Sequence, residues 1–369
     1  MKYCCNHCKK CWNHPVDKCI FCGKVITQIQ ETRYKVIGYT EVFIPSTGNE
    51  KVPYFVNFLE DKDGHKIFQK SFQKSDIGKI IDLQEDTVHD QQVGVIGSGL
   101  MGVQLAAYLI QYGFPTVIKT RLEDSKRIAY IKIQKNISKK MSEEEVKKTL
   151  KLLTVSTDYI DLAGCDIIIE AIAEDITLKK EIFKDLSNVC KPSAIFSTNS
   201  SSLSIDDLAG MTDRPEKCIG MHFFNPVHRM DLVEVVIGSA TDEQTKSAII
   251  DLVLKLNKKP IIVKNSPGYV VNRLLLPQIN EAIYILEEGI ATKEDIDSAV
   301  KLGLNHPMGP FELADFIGLD ICLSILNELL KNFNNPKYRP SQLLKTMVAE
   351  GKLGFKSGEG FYTYGGKKP

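Results

Sequence analysis

The chain has 369 residues, 43% apolar and 25% charged, with a formal net charge of +1. That length calls for more than one domain, and that composition supports a sizeable core. Balanced charge argues against a protein built around nucleic-acid phosphates or an anionic membrane surface, the opening MKYCCNHCKK does not read as a signal peptide, and no apolar run reaches the length of a membrane span.

Residues 3–24, YCCNHCKKCWNHPVDKCIFCGK, hold six of the ten cysteines. The other four, Cys165, Cys190, Cys218 and Cys322, stand singly in apolar surroundings and read as buried small hydrophobes. This usage fits a reducing, cytoplasmic setting, where clustered thiolates are metal ligands rather than disulfides. Two Cys-x-x-Cys pairs suit tetrahedral structural zinc. The spacing admits two ligand sets, Cys8, Cys11, Cys19 and Cys22 or Cys5, Cys8, Cys19 and Cys22. His7 and His14 read as bystanders.

The segment RYKVIGYTEVFI (33–44) alternates and is rich in aromatic and β-branched residues, so it reads as a strand. PYFVNFLE and HKIFQKSF follow, joined at the Asp63-Gly64 turn signal. A short last strand and the polar linker QEDTVHDQQ close the segment. Residues 1–24 are therefore expected to form a zinc ribbon and residues 25–88 a small β-barrel of the OB-like type. Most of the barrel's aromatics read as interior, and acidic residues offset its lysines, so nucleic acid is not its expected ligand.

From Gln92 the pattern changes. VGVIG, TVIKT, CDIIIEAI, AIFSTN, KCIGMHFF and LVEVVIG are short apolar runs separated by helical segments, and residues 122–153 read as helical. This alternation predicts an α/β Rossmann-type, doubly wound parallel sheet over residues 89–267. Beyond KPIIVKNSPG the strands stop, and helical periodicity predicts an all-α C-terminal domain over 268–369. Thr292 and Asp295 have the spacing of a capping box.

Three stretches carry chemistry. GSGLMG (Gly97, Gly99, Leu100, Met101, Gly102) follows a strand and opens a helix, the context in which a glycine turn cradles a pyrophosphate. An acidic residue is expected at the end of the next strand to hold the ribose 2′-hydroxyl, but Thr120 and Arg121 stand there. A hydroxyl and a guanidinium accept a 2′-phosphate, which points to NADP(H); Thr120 on a plain ribose beside a solvated Arg121 is the NAD(H) alternative. In MHFFNPVHRMDLVEVV, His222 ends one strand and Glu234 lies in the next, the composition of a general acid–base pair near neutral pH. TNSSSLS (Asn199, Ser201) and SPGYVVNRLL (Asn272) accompany them, although Ser201 alone could be a helix cap and Asn272 a surface amide.

With these motifs in order, residues 90–366 resemble the 3-hydroxyacyl-CoA dehydrogenase family. GSGLMG, IIEAIAED, STNSSSLSI, GMHFFNP, LVEVV, NSPGYVVNRLL, HPMGPFELADFIGLD and GFKSGEGFYTY carry the likeness. The resemblance implies His222 as catalytic base, Glu234 as its partner, and Ser201 and Asn272 as donors to the substrate's oxygens. It implies Glu174, Lys179 and Asn199 on the cofactor side, an acyl-CoA substrate of short chain such as 3-hydroxybutyryl-CoA, and a homodimer formed through the helical domain. The chain departs from the family at Thr120. A hydroxy-acid dehydrogenase of the same superfamily that does not use CoA, and a scaffold that no longer turns over, are the alternatives. The front end resembles the rubredoxin-like ribbon plus OB-fold family associated with acyl-CoA enzymes. Trp12 and Pro15 match its pattern and favour Cys5 over Cys11. That resemblance implies acyl-CoA binding or docking of a thiolase.

Overall fold

The computed structural model describes residues 88–365 except Lys140 and Ser202, together with 2–4, 11–12, 27–29, 33–42, 54–62, 64, 66–71, 76–78 and 80–82. The chain divides into two units, Met1–Val88 and His89–Pro369.

In the first unit, β1 (Lys2–Cys4), β2 (Cys11–Trp12) and β3 (Thr27–Ile29) form an antiparallel sheet in the order β2-β1-β3, with Cys4 opposite Cys11. Residues 27–29, read above as part of the barrel, thus pair with the cysteine-rich end. The expected zinc ligands Cys5, Cys8, Cys19 and Cys22 lie outside the described residues. A second antiparallel sheet contains β4 (Arg33–Val42), β5 (Tyr54–Glu60), β6 (Lys66–Ser71) and β7 (Ile80–Asp82), in the order β6-β5-β4-β7. The turn between β5 and β6 falls where the sequence puts it: Gly64 has φ +81° and its N–H donates to Asp61 O at 3.1 Å. Val36 and Leu59 are fully buried. Among the described residues no pairing joins β6 to β7. Phe68 is 68% exposed and meets Phe58 edge to face.

The second unit opens with β8 (Val93–Ile96), α1 (Leu100–Gln111) and β9 (Thr116–Lys119). The stretch read as one helical region is two helices, α2 (Glu123–Ile137) and α3 (Glu143–Leu150), and ends in β10 (Leu153–Ser156). The break is set by Ser142, which caps α3 in a reciprocal box with Glu145. Next come β11 (Ile167–Glu170), α4 (Ile176–Val189), β12 (Ile195–Thr198), α5 (Ile205–Ala209), β13 (Cys218–Phe223), β14 (Leu232–Ile237), α6 (Glu243–Lys255) and β15 (Lys259–Lys264).

The eight-stranded sheet runs β10-β9-β8-β11-β12-β13-β14-β15. β8 and β11 lie side by side although the chain leaves in opposite directions from them, the switch point at which doubly wound sheets open a crevice. β8, β11 and β12 are buried along their whole length, as strands covered by helices on both faces must be. The expectation of a wholly parallel sheet fails at β14, which is antiparallel to β13. Residues 224–231 connect them, and that is shorter than the dozen or so residues a parallel crossover requires.

The helical lobe comprises α7 (Val271–Glu287), α8 (Lys293–Gly303), α9 (Pro310–Ile317), α10 (Leu319–Phe333) and α11 (Gln342–Ala349) around their own apolar core. Thr292 caps α8 by accepting from Asp295 N, as its spacing predicts. Buried Asp315 ties down the C-terminal tail by accepting from Phe361 N, Tyr362 N and Tyr364 Oη. No helix among the described residues is long and apolar enough to cross a membrane.

Candidate active site

The glycine turn lies at the switch point. A side chain on Gly97 (φ +107°) would meet Ala171 O at 2.6 Å, and one on Gly102 would meet Gly97 O at 1.9 Å, so the turn packs directly on β11 and on its own helix. Beside Gly99 the space is open, and α1 has no side-chain cap and no acid in its first turn. Its first N–H groups are therefore free to meet an anion. These features fit a dinucleotide pyrophosphate.

The turn opens into a cleft of about 1200 Å³. Gly97, Gly99, Leu100, Met101, Thr120, Arg121, Glu174, Lys179, Asn199 and Ser201 all line it, and Asp320 and Ser324 reach it from α10 of the helical lobe.

At the end of β9 the geometry corrects one expectation. Thr120 is 1% exposed, and its hydroxyl donates to the carbonyl of Leu122 at 3.1 Å, with Ser156 O at 3.4 Å. Its proton is not available to a cofactor phosphate. Two cations line the cleft around it: exposed Arg121 and half-buried Lys119, whose Nζ sits 4.1 Å from the centre of the Tyr159 ring. Neither has an ion-pair partner among the described residues. Burial pushes Lys119 below the ordinary lysine value, against the charges of Asp158 and Asp185. Lys119 and Tyr159 were not found in the sequence; a lysine one position before the expected acid was the available signal.

Glu174 and Lys179 also differ from simple cofactor ligands. Lys179 is 1% exposed, and its ammonium bridges Glu170 at 3.0 Å and Glu174 at 2.9 Å. Glu170 further accepts from Thr198 Oγ1 and Ile172 N, both at 2.6 Å. Glu174 accepts from the Ser200 hydroxyl and from Ser201 N at 3.1 Å. Burial pushes the Glu174 carboxyl up, but the Lys179 charge and these donors outweigh it and hold it below the usual carboxylate range. The buried ion pair is thus a strut under the segment that carries Ser201. Asn199 is similarly engaged: its Oδ1 accepts from Phe223 N at 2.9 Å, next to His222.

The antiparallel pairing of β13 and β14 sets His222 directly opposite Glu234. His222 Nδ1 lies 2.7 Å from Glu234 Oε2, and both residues are buried. A carboxylate only accepts, so Nδ1 carries the proton and donates. His222 Nε2 faces Ser201 Oγ at 3.0 Å, where the cleft ends. The other Glu234 oxygen accepts from Val270 N and Val271 N, each at 3.0 Å. Ser201, His222 and Glu234 thus form one line of hydrogen bonds from the cleft into the protein. The arrangement suits general acid–base catalysis at a single oxygen atom. Asn272 stands in the first turn of α7 and makes no hydrogen bond to Ser201 or His222 among the described residues.

Comparison with known proteins places the second unit in a family. Residues 92–266 match the family "3-hydroxyacyl-CoA dehydrogenase, NAD binding domain", and residues 268–364 match "3-hydroxyacyl-CoA dehydrogenase, C-terminal domain". The chain is 46% identical over 284 residues to a 3-hydroxybutyryl-CoA dehydrogenase of Bradyrhizobium diazoefficiens, covering 76% of this chain and 97% of that protein. It is 44% identical to the 3-hydroxybutyryl-CoA dehydrogenase of Clostridioides difficile, over 74% of this chain and 99% of that one. Among solved structures, the (S)-3-hydroxybutyryl-CoA dehydrogenase of Ralstonia eutropha superposes with a TM-score of 0.72 at 42% identity, over 75% of this chain and 99% of that one.

The strut makes a prediction about stability. Replacing Lys179 by Met strands the buried Glu170 carboxylate, and we expect a loss of about 3–5 kcal/mol in urea unfolding at neutral pH. Glu174 has a lowered folded-state value, so its contribution is present above the ordinary glutamate pKa and lost as pH falls through the folded one. The deficit of Lys179→Met should therefore shrink on acidification. A deficit that stays constant with pH would refute the strut.

Proposed function

Because the chain belongs to the 3-hydroxyacyl-CoA dehydrogenase family, we propose that it interconverts short-chain 3-hydroxyacyl-CoA and 3-ketoacyl-CoA, with 3-hydroxybutyryl-CoA and acetoacetyl-CoA as the substrate pair. The observation that carries this reading is the Ser201–His222–Glu234 line ending at the cleft of the glycine turn.

A nicotinamide cofactor held at the glycine turn of Gly97, Gly99 and Gly102 would supply the hydride acceptor for substrate carbon 3, and the donor in reverse. His222 Nε2 takes the proton of the 3-hydroxyl as that hydride leaves, and in reverse gives it to the keto oxygen. Glu234, fixed by the backbone N–H groups of Val270 and Val271, compensates the imidazolium that forms and orients the ring by accepting from Nδ1. The Ser201 hydroxyl lies within reach of the same oxygen and orients it. Asn272 is assigned to the substrate side with it, through small adjustments when substrate binds.

The cofactor in this reading is NADP(H) rather than NAD(H). Arg121 and Lys119 support it, since they offer two cations without an ion-pair partner among the described residues, where a carboxylate would repel a 2′-phosphate. Initial rates on acetoacetyl-CoA with NADPH and NADH test both points. Replacing His222 by Ala should lower kcat roughly 10²–10⁴-fold, and an unchanged rate refutes the site. Replacing Arg121 by Ala should raise KM for NADPH about tenfold and leave NADH unaffected. A clear preference of the unaltered protein for NADH overturns the choice of cofactor.

Domain limits at 24, 88 and 267, a cytoplasmic location, and a homodimer through the helical lobe belong to the same proposal. Leu274, Ile290, Leu302 and Leu304 leave apolar surface open on that lobe, which supports dimerisation. For the front unit we retain a structural zinc held by Cys5, Cys8, Cys19 and Cys22, beside an OB-like module that docks acyl-CoA or a thiolase. Trp12 and Pro15, which match the pattern of the ribbon family that the front end resembles, support Cys5 over Cys11 as the ligand. Zinc content should fall in Cys5→Ser and persist in Cys11→Ser. Sedimentation and thiolase co-purification of the full chain should differ in partner binding from a chain beginning at Gln91. Equal thiolase recovery from both would overturn the docking role.

A further inference from the structure

The link between the two lobes contains a residue that the reaction scheme does not use. Gly268 (φ +72°) and Tyr269 (φ +48°) are consecutive left-handed residues. Glycine adopts that conformation freely, but an aromatic side chain resists it. Such strain persists only where the surroundings over-determine it, and it concentrates at functional sites.

Several contacts over-determine Tyr269. The residue is 3% exposed and packs against Ile205, Val236 and Val263. Its ring centre lies 5.5 Å from that of His222. Its hydroxyl donates to Leu203 O at 3.3 Å. Leu203 N in turn donates to Ser200 Oγ at 3.0 Å, next to Ser201. Burial, with the charges of Glu174, Glu234 and Glu170, pushes the phenol far above its ordinary value, so it remains a donor at any working pH. The left-handed turn also aims the next two N–H groups, those of Val270 and Val271, at Glu234 Oε1.

We propose that Tyr269 is a positioning residue for proton transfer. Its hydroxyl tethers the segment carrying Ser201, its ring supports one side of the His222 imidazole, and its backbone aims the α7 N-terminus at Glu234. One strained residue thereby holds all three members of the hydrogen-bonded line in register. The inference rests on the reading of His222 as the base.

Tyr269→Phe removes the tether and keeps the ring. In that variant kcat on acetoacetyl-CoA should fall about 3- to 10-fold, with KM within about twofold and the melting temperature nearly unchanged. Tyr269→Gly keeps the backbone conformation without the ring and should lose more. A turnover-independent readout is the His222 titration midpoint by NMR in the apoprotein. It should move by about half a unit in Tyr269→Phe, in either direction, because Ser201 can donate to the neutral ring or accept from the imidazolium. Unaltered kcat together with an unmoved midpoint overturns the proposal. If the unaltered protein reduces no acetoacetyl-CoA, the proposed activity falls, and the midpoint still decides the role of Tyr269.

Discussion

The structure around His222 depends on one carboxylate. Glu234 divides its two oxygens between two parts of the second unit: Oε2 receives the imidazole of His222 from the sheet, and Oε1 receives two backbone N–H groups from the start of the helical lobe. A buried carboxylate is costly unless its lone pairs are satisfied. Here the donors that satisfy it are also the groups that must be aligned. The need to pay that desolvation cost is what couples the seam between the lobes to the chemistry.

The same logic recurs one layer away. Lys179 sits between Glu170 and Glu174 with almost no access to solvent, and Glu174 passes the constraint to Ser200 and Ser201 through hydrogen bonds. Buried polar networks that are fully satisfied rigidify the elements they join. Ser201 is therefore placed from below by a strut and from the side by the Tyr269 tether, while its hydroxyl remains at the cleft. Glu174 and Lys179 line the cleft and at the same time support the segment that carries Ser201.

Much of the site was legible before any coordinates. The glycine turn announces itself because each glycine answers a steric demand: Gly97 against Ala171 and Gly102 against Gly97. Thr292 obeys a capping rule that acts over three residues. Other features stayed hidden for physical reasons. The strand β10 is short, and its place at the edge of the sheet is decided by pairing with β9. Thr120 was read as a ligand because sequence position fixes which residue ends the strand but not where its hydroxyl finds an acceptor. The exposure of Phe68 stayed hidden because alternation identifies faces, whereas which face is covered depends on what packs there.

The sequence by itself determined most of the succession of elements, the glycine turn and the presence of a histidine and a carboxylate on successive strands, because these rest on local backbone sterics and on side-chain chemistry. Only the tertiary structure decided how they meet. The short connection 224–231 forces β14 to run antiparallel to β13, and that reversal brings His222 and Glu234, twelve residues apart, to the same rung of the ladder. The left-handed turn at Gly268 and Tyr269 then directs α7 onto the same carboxylate. Long-range pairing and strained backbone are properties of the packed chain, and no local pattern encodes them.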